Sequence, residues 1–138
     1  MKIIRKEIVI DAPPAKVWEH VTDREKIAGW LMPTDFEARQ GAQFILDCHE
    51  QGKISCVVKE IDPPKKLVYS FQSKAMKLET LVTITLEPEG KATRVTLIHS
   101  GWDALPPDQQ GLADGYAGGW GGGLENLRKR AETPKPPQ

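Results

Sequence analysis

Hydrophobic residues recur along this chain with two different periods, and the switches between them divide it into elements. Residues 3–10 are β-branched and partly alternating, with Ile4, Ile8 and Ile10 on one face of a predicted strand. Asp11-Ala12-Pro13-Pro14 stops that strand. The same prolines can open a helix, because the first helical turn leaves free the N–H that proline lacks. Val17, Trp18 and Val21 share one face of that helix, which extends through Thr22 and puts Trp18 in the core. Asp23 can cap a second short helix holding Lys26 and Ile27, with Gly29 as its stop. Trp30 then falls in the loop that continues through Leu31-Met32-Pro33.

From Phe36 to His99 the period becomes two. Strands at 42–50 and 53–61 flank Gln51-Gly52, read as a two-residue turn that pairs Cys48 with Ser55 and Cys56 with Asp47. Leu67, Tyr69 and Phe71 fall on one side of the next strand, and a further strand covers 79–87. Pro88-Glu89-Gly90-Lys91 turns it into 93–100, where Val95, Leu97 and His99 alternate against Thr96 and Ile98. Consecutive strands on short turns predict an antiparallel meander, which buries one face and needs a cover. The C-terminal segment supplies it. Pro106-Pro107-Asp108 can open a helix, and Leu112, Tyr116, Trp120, Leu124 and Leu127 form one apolar stripe. Glycines at 115, 118, 119, 121, 122 and 123 each cost about 1 kcal/mol against alanine. The helix is therefore expected to be broken or mobile around Trp120. Its bare face would also leave volume above the sheet, and the segment could act as a gate that orders when a ligand packs on Trp120 and Tyr116.

Composition narrows the possibilities. The 138 residues are 39% hydrophobic and 28% charged, ordinary for one globular domain, with nineteen basic residues balanced by nineteen acidic. That balance gives no reason to expect nucleic acid or an anionic membrane as partner. No apolar run is long enough to span a bilayer, residues 1–7 turn charged too early for a secretory leader, and two cysteines are too few for a disulfide framework. A cytoplasmic location is expected. The domain should occupy 1–132, with a disordered Pro-rich tail at 133–138.

The order strand, two helices, meander, long helix resembles the helix-grip fold of the START and birch-pollen-allergen superfamily. Closer matches lie with the branch similar to the C-terminal domain of the activator of the heat-shock-protein-90 ATPase. They are Ile8-Val9-Ile10-Asp11-Ala12-Pro13-Pro14 with Val17-Trp18, then Ala28-Gly29-Trp30-Leu31, then Glu60-Ile61-Asp62-Pro63-Pro64 before Lys66-Leu67-Val68-Tyr69. Thr93-Arg94-Val95-Thr96-Leu97 leading to His99-Ser100-Gly101-Trp102, and Gly119-Trp120 with Leu124 and Leu127, complete the pattern. The resemblance implies an α+β fold with an apolar cavity between sheet and long helix. It implies no single activity, because this fold carries many. The glycine-rich helix departs from the family pattern. So does the want of the activator's additional N-terminal domain, and stimulation of chaperone ATPase turnover is not expected.

The expected function is to hold a small apolar or amphipathic molecule, with Trp30, Phe44, Tyr69, Phe71, His99, Trp102, Tyr116 and Trp120 as candidate lining. No cofactor is expected. His99 is read first as a hydrogen-bonded structural histidine; an enzyme would instead use His99, Tyr69 or Glu60 for proton transfer on a bound substrate. Glu60 faces inward or outward according to the hairpin register. Cys48, His49 and Cys56 invite a metal reading, but adjacent strand residues point to opposite faces, so no metal site is expected. Gly118-Gly119-Trp120-Gly121-Gly122-Gly123 lacks the Lys-Ser/Thr ending of a phosphate loop. The third reading is an interaction module that meets a chaperone through its surface.

Overall fold

The computed structural model describes residues 3–47, 52–74 and 76–132. Strand β1 (Ile4–Ile10) leads into helices α1 (Pro14–Thr22) and α2 (Arg24–Trp30). Strands β2 (Gln43–Asp47), β3 (Lys53–Asp62), β4 (Lys66–Phe71), β5 (Thr80–Glu89) and β6 (Ala92–Ser100) follow. A 3-10 turn (Trp102–Ala104) and the short helix α3 (Pro107–Gln110) connect to the long helix α4 (Leu112–Glu132). The strands make one antiparallel sheet in the order β1-β6-β5-β4-β3-β2, with α4 packed along β1 and against α1 and α2. This is the α+β helix-grip architecture. Among the described residues no helix is long and apolar enough to cross a membrane.

Local chemistry explains the element ends. Asp23 accepts from the backbone N–H of Glu25 at 2.9 Å and of Lys26 at 3.3 Å, which caps α2. Glu89 pairs with Ala92 across a two-residue turn, where Gly90 takes a φ of +64° that a side chain would resist.

Three expectations need correction, and one left open is settled. The β2–β3 hairpin pairs Phe44 with Cys56 and Asp47 with Lys53, so its loop is longer than two residues and Cys56 does not face Asp47. Cys48, His49, Gln51 and the tail 133–138 lie outside the described residues. Between Val58 and Glu60 the β3–β4 register shifts, and the bulge turns Glu60 to solvent, where it pairs with Lys66 Nζ at 3.3 Å. Gly29 does not end α2, and Trp30 is the last helical residue rather than the first of a loop. Trp18 is only half-buried, because His20 takes the inward position beside Val17 and Val21 and bonds back to the Lys16 carbonyl at 3.0 Å.

Helix α4 also differs from expectation, running unbroken through all six glycines. Tertiary packing supplies what propensity withholds. Ala113, Trp120, Gly123, Leu124, Leu127 and Ala131 are all buried along it. At Gly123 the close approach is real, since an added Cβ would lie 3.4 Å from the Trp30 carbonyl oxygen.

The two burial states give a stability test. Leu127→Ala, at a fully buried site, should cost about 2–5 kcal/mol, whereas half-buried Trp18→Ala should cost roughly 1–2 kcal/mol. Denaturant melts check the ranking, and a Trp18 cost equal to that of Leu127 would contradict the exposure of α1's outer face.

Candidate functional site

An open cleft of about 460 Å³ lies between the C-terminal end of α2, the end of β4 and one face of α4. Its wall comprises Trp30, Leu31 and Met32 on one side, Phe71 beneath, and Tyr116, Gly119, Trp120, Gly122, Gly123 and Asn126 on α4. The α4 positions recur at spacings of three and four, so they form one stripe of the helix. The two central positions of that stripe are bare. A Cβ built on Gly119 or Gly122 would meet nothing within 4 Å, so neither glycine is required by tight packing. Their effect is to leave space.

The aromatic wall is fixed from behind. Trp30 donates its indole N–H to the His20 carbonyl at 2.7 Å. Trp120 donates to His99 Nδ1 at 3.0 Å, and His99 Nε2 lies 2.6 Å from Thr80 Oγ1. Thr80 in turn donates to the Phe71 carbonyl at 2.7 Å. An indole nitrogen can only donate, so Nδ1 is the bare nitrogen of His99. Thr80 has already given its one proton to Phe71, so Nε2 carries the ring proton. Every group in this chain is satisfied in one arrangement only.

Of the eight sequence-derived lining candidates, Trp30, Phe71, Tyr116 and Trp120 meet at the cleft. His99 and Trp102 lie directly behind it with no exposed surface. The His99 ring is 4.7 Å from Phe71, and Trp102 stacks on Tyr116 at 5.8 Å. Phe44 and Tyr69 belong elsewhere: they pack edge to face at 5.3 Å, with Phe36 at 4.9 Å from Phe44, around an interior void of about 10 Å³. Trp30 borders both spaces and is the partition between them. Alternation placed Tyr69 and Phe71 on the same face of β4 and could not show that a tryptophan from α2 separates them. Leu31, Met32 and Asn126 were missed. Asn126 was legible in principle, being three residues beyond Gly123 on the stripe.

Burial sets the electrostatics. His99 is pushed down from 6.5 to about 3 by loss of solvent, and the Tyr69 phenol and Cys56 thiol are both driven upward by the same cause, aided in Cys56 by the charge of Asp35. None of the three has the protonation balance or the access of an acid–base catalyst near neutral pH. Among the described residues no cluster of three or more metal-ligating side chains occurs.

Comparison with known proteins agrees with this architecture. The model of the family described as activator of Hsp90 ATPase homolog 1-like protein matches residues 11–132. The chain belongs to that family. No curated protein sequence matches it. Among solved structures, protein MLL2253 from Mesorhizobium loti is 31% identical with a TM-score of 0.83, the match covering 93% of this chain and 95% of that one. Protein BH1534 from Bacillus halodurans is 30% identical with a TM-score of 0.79, covering 96% and 98%. The Aha1 dimer from Colwellia psychrerythraea, 19% identical with a TM-score of 0.82 over 99% and 100%, shares the fold. This activator-homologue-like chain thus keeps the helix-grip frame and places six glycines in the helix that closes it.

The His99 chain predicts an acid sensitivity. Below pH 6.5 the unfolded histidine binds a proton that the folded one refuses, so stability falls as pH drops from about 6.5 toward 3. The contribution is complete above 6.5 and declines by up to about 1.4 kcal/mol per pH unit. His99→Gln supplies an acceptor and a donor without titrating. Denaturant melts at pH 7.5 and 4.5, values chosen to bracket the unfolded histidine, should show a shallower loss for the variant; parallel losses would refute the assignment.

Proposed function

We propose that the cleft beside α4 binds a small apolar or amphipathic molecule. The observation that carries this reading is the bare glycine face of α4 beside Trp120, set across the cleft from the Trp30 and Phe71 rings. Empty helix surface at Gly119 and Gly122 flanks Trp120 and lies in the same cleft as Trp30 and Phe71. A helix that needed only to cover the sheet would gain from alanine there, in helix propensity and in a less flexible unfolded chain. Glycine at both positions gives up that stability and keeps the volume, which falls within the usual range for small-molecule sites.

The wall suits binding better than chemistry. Both tryptophan N–H groups are consumed by His20 and His99, so the other polar side chains facing the cleft are Tyr116 and Asn126. No carboxylate, amine, thiol or imidazole lines it. Such a wall suits a carrier or sensor, and the Tyr116 phenol is the one lining group that acid–base turnover could use. Met32 and Leu31 at the mouth add adaptable apolar surface.

The test uses the neutral fluorescent dye phenylnaphthylamine. It should bind with enhanced emission and quench tryptophan fluorescence through Trp30 and Trp120. The double variant Gly119→Ala/Gly122→Ala should gain about 1–2 kcal/mol of stability and lose dye affinity several-fold. Dye binding unchanged in the stabilised variant would mean that the bare helix face is not where the molecule sits.

A further inference from the structure

We infer that the cleft selects ligands carrying a carboxylate, with Arg130 as the group that recognises it. The inference rests on the cleft being a binding site and adds a chemical class and an orientation.

The α4 stripe that forms the cleft wall runs Tyr116, Gly119, Gly123, Asn126, and its next member is Arg130, one turn further at about 6 Å along the axis. Its side chain lies back over the end of α2. A Cβ placed on Gly29 would lie 2.8 Å from Arg130 Nη1 and 2.9 Å from Cζ. Gly29 is thus occupied from outside: its missing side chain is what lets the guanidinium lie against the α2 backbone, immediately before Trp30. Here a glycine inside a seven-residue helix, which costs helix stability, has a specific consequence.

The charge at that place is uncompensated. Arg5, Arg39, Arg94 and Arg128 all form ion pairs with glutamates, but among the described residues Arg130 has no acidic partner. Arg130 is exposed and stands just beyond the cleft lining, one turn past Asn126 and against the α2 residue before Trp30, so a cation borders one end of an apolar slot and matches an apolar body ending in a carboxylate. The planar fork can donate to both carboxylate oxygens, and Asn126 can donate to one of them. The rest of the molecule would then lie along Gly122 and Gly119 toward Tyr116. The capping of α2 by a nearby cation would explain why Arg130 sits there without any ligand, and it predicts a loss of stability with no change in selectivity.

Anthracene-carboxylate and its methyl ester separate these readings, because they share one ring system and differ in charge. The wild-type protein should bind the acid more tightly than the ester. Arg130→Gln should weaken the acid about five- to tenfold and leave the ester within about twofold. Gly29→Ala, which keeps the guanidinium but displaces it, should lower the preference in the same direction. Arg24→Gln, removing another arginine without an ion pair among the described residues, should leave the preference unchanged. Equal wild-type affinity for acid and ester, or an Arg130→Gln variant that weakens both alike, overturns the assignment to Arg130 while the cleft stands. Binding of neither probe by the wild-type protein removes the cleft reading itself.

Discussion

Helix α4 carries glycines that should loosen it, and the hydrogen bond from Trp120 Nε1 to His99 Nδ1 holds its register on the sheet. The bond is buried, so breaking it would leave two polar atoms without water, at a cost far above the net worth of an exposed hydrogen bond. Rotating α4 or sliding it by one residue would also break it. Because His99 is fixed in turn by Thr80, and Thr80 by the Phe71 carbonyl, the helix is referred to β4, β5 and β6 through one connected set of atoms. The open face of α4 can therefore be glycine without the helix losing its place.

The same arrangement explains why the interior divides into two. On the Tyr69 side, α1, α2 and the Phe36–Phe44 pair fill the concave face until only a trace of space is left. On the Phe71 side Tyr116 and Trp120 reach down from α4, but the exposed positions 119 and 122 beside them lack side chains and leave the cleft open. Trp30 stands between, held by the His20 carbonyl, so the filled half supports the wall of the empty half. Rigidity and vacancy sit side by side in one sheet.

Much of this was legible in the sequence. The two periods gave the element order, the stripe on α4 identified the covering helix, and four of the aromatic residues that face the cleft stood out by type and spacing. The rest depended on relations that a single strand or helix does not carry. Phe44 and Tyr69 look equivalent to Phe71 by alternation, and only the descent of Trp30 from α2 distinguishes them. The register of the β2–β3 hairpin turns on loop length, and Gly52 next to Gln51 resembles a tight turn closely enough to mislead by several residues. The face of Glu60, left open by the sequence, is set by a bulge that adds a residue to β3, which no period reveals. Gly29 looked like a helix stop, but it lies within α2, where its open side is met by the guanidinium of a residue a hundred positions away.

The bare stripe on α4 has a consequence for how such a protein changes over generations. Positions 119 and 122 face open space, so a mutation there alters the shape of the cleft and touches no packed neighbour. Most binding sites are embedded in their cores, and reshaping them risks the fold. If the cleft binds as proposed, a side chain added at either position would narrow the slot and raise the helix propensity of α4, while the buried walls Trp30, Phe71 and Trp120 keep their part in the core. The first step away from glycine, to alanine, would reshape the slot and stabilise the helix at once.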